Sequence, residues 1–453
     1  MNIVNQNLKR NCSAIDYFVY CVLVLLPIYR DSPLQKYLGI YGATLIPVVL
    51  VILYFFRILS KKPILYPNRS IKAFLYLGAY LFLISLICNL IYIALTNSMV
   101  VLGVNVFQKA GNVIVQYITF ILYTNILLFY LERQPFSRAC LPFSVGAILL
   151  SVIGILESFL MPTAFSALHY SGSEYNRIRL LTAESSHTVL LIIIYFSLGI
   201  FYSLKKKNRI LIAVQFLGVA YLSYISGSKT LYLMILLYIF VFLWYLLRHG
   251  YFWQLIILLI PIVIILFLVA GKLVNNFIQD LTSYTSTVTR VYTIFVGFLI
   301  GLVVPFGVGG GIYGDMFQRG LLSNLGIFVN FNVTFNLSEI IALATSPSDT
   351  AVAVKAGLFQ YNMYWGIIGT ILLCFILFKI YQRFSRTCNR ATLLKTTYII
   401  STILVFFAMD FCFEYFMLLA VMIHFGAQSK YSEFSAIQRG RRVFQVAEPR
   451  GNV

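Results

Sequence analysis

Acidic residues are scarce in this chain. Asp and Glu together number 14 in 453 residues, and charged side chains make up 11% against 60% hydrophobic. A soluble domain carries roughly a quarter charged residues. The composition therefore excludes a soluble globular protein and indicates a polytopic membrane one. Histidine is scarcer still, at positions 169, 187, 249 and 424, with no H-x-x-x-H spacing. Neither a metal site nor any other cofactor is expected. The cysteines, at 12, 21, 88, 140, 374, 388 and 412, form no C-x-x-C. They fall in apolar spans or in cytoplasmic segments, which excludes a disulfide framework. No A-x-A-like site follows the first apolar run, so that run reads as a retained helix rather than a signal peptide. Fixed-period repeats, low-complexity tracts and a soluble domain are also missing. The net charge of +20 would suggest nucleic acid in a soluble protein. Here the placement of the positives carries the information, and no nucleic-acid partner is expected.

What is present is a series of long apolar runs. They fall near 14–29, 37–56, 73–95, 111–131, 141–160, 188–204, 210–226, 230–247, 254–271, 363–382, 396–410 and 414–427. Each is close to the length a bilayer-crossing helix needs. Basic clusters follow the second run (Arg57, Lys61, Lys62, Arg69, Lys72), the sixth (Lys205, Lys206, Lys207, Arg209) and the tenth (Lys379, Arg383, Arg386, Arg390, Lys395). With Lys9 and Arg10 inside, all three clusters face the cytoplasm, as the positive-inside bias requires. Of the 34 Lys and Arg, 24 then lie inside and 10 outside. The expected architecture is an all-α membrane protein of about twelve spans with both termini cytoplasmic. Residues 1–271 supply nine spans and a short outer loop at about 161–187. Residues 272–362 form a long outer loop, 363–427 the last three spans, and 428–453 a basic tail. An apolar stretch from Val291 to Val304 sits inside the long loop and reads as a short interfacial or re-entrant helix.

The outer loops hold the residues able to do chemistry. The first contains Y-N-R-I-R-L-L-T-A-E-S-S-H from Tyr175 to His187. Arg177 and Arg179, one residue apart, suit a doubly charged oxyanion such as a pyrophosphate. They suit equally well an anchor whose charged tips snorkel into the headgroup layer. Glu184 is either a catalytic acid or an acid complementing the dipole of a helix starting near Thr182. In the second loop Arg290 precedes the apolar stretch, and P-F-G-V-G-G-G-I-Y-G runs from Pro305 to Gly314. Gly307, Gly309, Gly310 and Gly311 can bring backbone amides against a phosphate, or simply make a tight turn. No G-K-[ST] follows, so this is not a P-loop. Near the loop's end, S-P-S-D-T places Asp349 either as a helix cap or as a base for a sugar hydroxyl, with Lys355 six residues on. Asp410 and Glu414 lie at the tip of the last helical pair and read as marking its exposed outer end.

Together these features resemble the Wzy-type O-antigen polymerases and the related O-antigen ligases over nearly the whole length. The likeness rests on about twelve spans, cytoplasmic termini and an R-x-R-x-x-x-x-E-like stretch in a shorter outer loop. It rests also on a long outer loop with an arginine before an apolar helix, then P-x-G-x-G-G, then a helix running into W-G-I-I-G. The resemblance implies a metal-independent glycosyltransferase at the periplasmic face of a bacterial inner membrane. Its substrate would be an undecaprenyl-pyrophosphate-linked glycan, and its surroundings membrane lipids and a chain-length regulator protein. Arg177, Arg179 and Arg290 match the arginines that hold the pyrophosphate. Ligases carry a histidine in an H-N-like motif where this chain has S-P-S-D-T, which argues against a ligase and leaves Asp349 the nearest candidate for activating the acceptor. A lipid-linked oligosaccharide flippase is the reading from another class. Flippases place charges within their spans in two pseudo-repeated halves, whereas here the spans are almost free of charge.

Overall fold

The computed structural model describes residues 13–61, 63–170, 178–226, 228–248, 285–329, 337–347, 354, 356–388 and 391–427. Their architecture is all-α, with one two-stranded hairpin of β1 (Val100–Val101) and β2 (Val104–Asn105). In chain order the helices begin with α1 (Ala14–Leu25), α2 (Gln35–Leu38), α3 (Ile46–Leu59), α4 (Arg69–Thr96) and α5 (Val106–Leu131). Next come α6 (Phe136–Leu160), α7 (Ser185–Lys206), α8 (Arg209–Ser226) and α9 (Lys229–Arg248). The series ends with α10 (Thr285–Val303), α11 (Gly309–Val329), α12 (Ser338–Thr345), α13 (Gly357–Thr387), α14 (Thr392–Phe407) and α15 (Phe413–Ala427).

Six of these helices, α4 to α8 and α13, are long and apolar enough to cross a membrane. Their limits follow local chemistry. The Asn68 side chain caps α4 by accepting from Ser70 N–H, and Asn97, in the left-handed region, closes it. Asn105 caps α5 through Phe107 and Gln108 N–H. Burial of apolar faces then joins α4 to α5, α6 to α7 and α5 to α15.

Two of the expected spans differ. The run at 37–56 is not one helix: α2 ends at Gly39, whose φ is +57°, and a 3-10 turn of Gly39–Gly42 follows. A side chain on Gly42 would press into the Leu34–Gln35 backbone, so the chain turns there and α3 starts only at Ile46, with Pro47 in its first turn. The tenth run is longer than expected and is broken. Gly366, inside W-G-I-I-G, adopts φ +67° and ψ −174°, splitting α13 where its backbone packs on Pro305. The stub is held by Thr370, which donates to Asn362 Oδ1 at 2.9 Å and accepts from Trp365 Nε1 at 3.2 Å. The run at 254–271 lies outside the described residues.

The stretch Val291–Val304 belongs almost wholly to α10, which packs along the start of α13. The chain turns at 304–308, and α11 returns against α4 and α5. This turn is where the glycine run sits, and protein fills the space beside every glycine in it. A side chain on Gly307 would strike the Tyr364–Gly366 backbone; on Gly309, Ser85; on Gly310, Val113; on Gly311, Asn89 and Val106. Gly310 N–H is already bonded to Ser85 Oγ at 2.9 Å. The glycines thus let this turn pack closely against α4, α5 and α13. Gly307→Ala, at φ +91°, is expected to lower stability by about 1–3 kcal/mol. Thermal unfolding of the purified protein checks this; unchanged stability with lost activity would restore the ligand-cradle reading.

Candidate functional site

At one end of the bundle four distant segments converge. Arg30 follows the 3-10 turn Leu26–Ile28 that ends α1, and its N–H is fixed on the Leu181 carbonyl at 2.9 Å. Glu414, in the first turn of α15, is fully buried and meets Arg30 Nη1 at 3.2 Å. The contact is chiefly ionic, since neither Glu414 oxygen accepts a well-aligned hydrogen bond among the described residues. Burial works against the Arg30 charge, but Glu414, with Cys412 and Asp410 nearby, more than offsets it and keeps the guanidinium protonated. His187, in the first turn of α7, lies within electrostatic reach of both Arg30 and Arg290.

Arg290 is the unbalanced member. It projects from α10 and donates from Nη1 to the Ala408 carbonyl at 2.9 Å. Its Nε is buried and has no hydrogen-bond partner among the described residues. Among the described residues no acid pairs with it. A half-buried guanidinium that meets only a carbonyl retains most of its capacity to bind an anion. With Glu414 balancing the Arg30 charge, the uncompensated positive charge of this cluster rests on Arg290, while Arg30 still offers N–H donors to an anion.

Arg179 is placed differently. It is 2% exposed, and its charge is felt by Glu157 and His169. Glu157, from the last turns of α6, accepts from Arg179 N–H at 2.9 Å and Leu180 N–H at 2.7 Å, stapling the loop to the bundle. Beside it, His169 Nδ1 meets Asp31 at 2.8 Å with both side chains buried. Burial lowers the His169 pKa, with the Asp31 hydrogen bond pulling the other way, so the pair is a hydrogen bond to a neutral ring rather than an ion pair at neutral pH. Arg30 and Asp31 are adjacent, so this buried loop support and the Arg30 cluster share one segment.

Of the other expected residues, Glu184 is exposed and is the N-cap residue of α7, one position before the helix rather than in its first turn. Glu414, expected at an exposed tip, is instead the buried partner of Arg30. Arg177, Asp349 and Lys355 lie outside the described residues. Sequence reasoning passed over Arg30 and weighed His187 only as a metal ligand. The available signal for Arg30 was an Arg-Asp pair directly ending an apolar span on the side poorer in cations. A further cation at this end, Lys109 in α5, is buried with Nζ 3.8 Å from the centre of the Tyr313 ring. No group of three or more His, Cys, Asp or Glu able to hold a metal occurs among the described residues. No protein-family model, curated protein or solved structure matches this chain.

Proposed function

We propose that this protein polymerises lipid-linked oligosaccharide repeat units by glycosyl transfer at the outer face of a bacterial inner membrane. The observation that carries the reading is the Arg290 guanidinium, which meets no acid among the described residues and lies, like Arg30, within electrostatic reach of His187. In such a transfer an acceptor hydroxyl attacks the anomeric carbon and the lipid pyrophosphate departs with the bonding electrons. A base takes the hydroxyl proton. The developing negative charge on the leaving group needs fixed cations, and guanidiniums supply them without a metal. Arg290 and Arg30 are the groups assigned here to the pyrophosphate, in place of the buried Arg179. Arg177 and Lys355 remain candidates to join them, and Asp349 remains the candidate base. The same reading places both termini in the cytoplasm, on the strength of the lysine and arginine distribution.

The test is the surface glycan of a deletion strain. The expected result is loss of long chains with single repeat units still displayed. Loss of every displayed unit would instead mean that the protein moves or attaches the glycan, and would overturn the proposal.

A further inference from the structure

The opposite end of the bundle carries a second cationic feature, unrelated to the Arg30 cluster. A cleft of about 410 Å³ opens between α4, α13 and α15. Three arginines rim it: Arg69 at the start of α4, and Arg383 and Arg386 near the end of α13. The last two are three residues apart and so share a helix face. Among the described residues no acid lines the cleft, and no hydrogen bond or ion pair is seen at any of the three guanidiniums. The N-terminus of the 28-residue α4 also opens here, adding its positive dipole end.

The floor has a different character. It is built from Ile380, Met422 and Ile423. On the same α13, Phe375 and Phe378 are each 57% exposed and give the helix an apolar outer surface on the side nearer Arg386 than Ile380. A cationic rim above an apolar floor, at the end of an apolar bundle, matches an amphiphile with a phosphate head. A soluble phosphate would use the rim and gain nothing from the floor. We propose that this cleft binds the phosphate headgroup of an anionic membrane lipid, with an acyl chain lying on the apolar surface of α13. The positive-inside bias assigns this end to the cytoplasmic leaflet, where anionic headgroups are drawn to basic pockets between helices.

The experiment titrates the purified full chain in detergent with phosphatidylglycerol or phosphatidylcholine and counts retained lipids by native mass spectrometry. Phosphatidylglycerol is expected to be retained and phosphatidylcholine lost. Arg383→Gln/Arg386→Gln is expected to weaken phosphatidylglycerol binding by about tenfold. Arg69→Gln, on another helix, should weaken it in the same direction. Lys205→Gln/Lys206→Gln removes two charges from the same end away from the cleft and should leave binding at the parental level. Equal retention of both lipids, parental binding by the arginine variants, or an equal loss in the lysine variant would overturn the proposal. Inorganic phosphate forms the last arm. Failure to displace the lipid supports a lipid site, whereas displacement at matched concentration would assign the cleft to soluble phosphates instead.

Discussion

Glu414→Gln is expected to destabilise the protein by about 3–5 kcal/mol, because it strips a buried cation of its counter-charge. Glu414 is wholly buried and the Arg30 side chain 15% exposed, so water cannot replace the lost partner. The stabilisation is chiefly Coulombic, since neither carboxylate oxygen accepts a well-aligned hydrogen bond among the described residues. Glutamine keeps the shape and removes the charge, which isolates that contribution. The measurement is the apparent melting temperature of the variant in detergent beside the parent. Arg30→Met/Glu414→Gln removes both charges and is expected to regain most of the loss, the signature of an interacting pair rather than two separate defects. A Glu414→Gln variant as stable as the parent would show that the pair is solvated.

That pair also shows where sequence reading stops. Apolar length and basic clusters made the all-helical membrane class legible, because a bilayer constrains both directly. A charge at the end of an apolar run has no such unique reading. Glu414 stands in the first turn of α15, just past a helical turnaround, and reads as a solvent-facing tip; only the approach of the α1 end shows that it is buried. Arg179 looked like a ligand arginine because R-x-R spacing suits two oxyanions, but burial beside Glu157 and His169 depends on how the loop folds onto α6. The glycine run had two physical readings from the start. Ser85, Val113, Asn89 and Tyr364 decide between them, and none is near it in sequence. W-G-I-I-G gives the same lesson, since it reads as part of one continuous span and only the approach of Pro305 shows the break at Gly366, in a conformation that only glycine takes readily.

On the proposed function, Arg290→Lys is expected to lower the polymerisation rate tenfold to a hundredfold, the equivalent of about 1.5–3 kcal/mol for one charged hydrogen bond. Lysine keeps the positive charge and loses the planar fork, so it can no longer contact two oxyanions at once. The existing bond from Nη1 to the Ala408 carbonyl, at 2.9 Å, orients the guanidinium and leaves its Nε without a partner. An arginine that only anchors a helix in the headgroup layer should tolerate lysine almost fully, because snorkelling needs just a long chain with a charged tip. Arg319→Lys supplies the comparison: its side chain is 70% exposed on α11 and bonded to Asp315 one turn away at 2.9 Å. Exposed pairs of this kind contribute little, so that variant should behave as the parent does. Polymer length in cells at matched protein level, followed by initial rates with purified lipid-linked donor, gives the readout. If Arg290→Lys makes parental polymer at the parental rate, Arg290 is an anchor. The pyrophosphate site would then have to be sought among residues other than the Arg30 cluster.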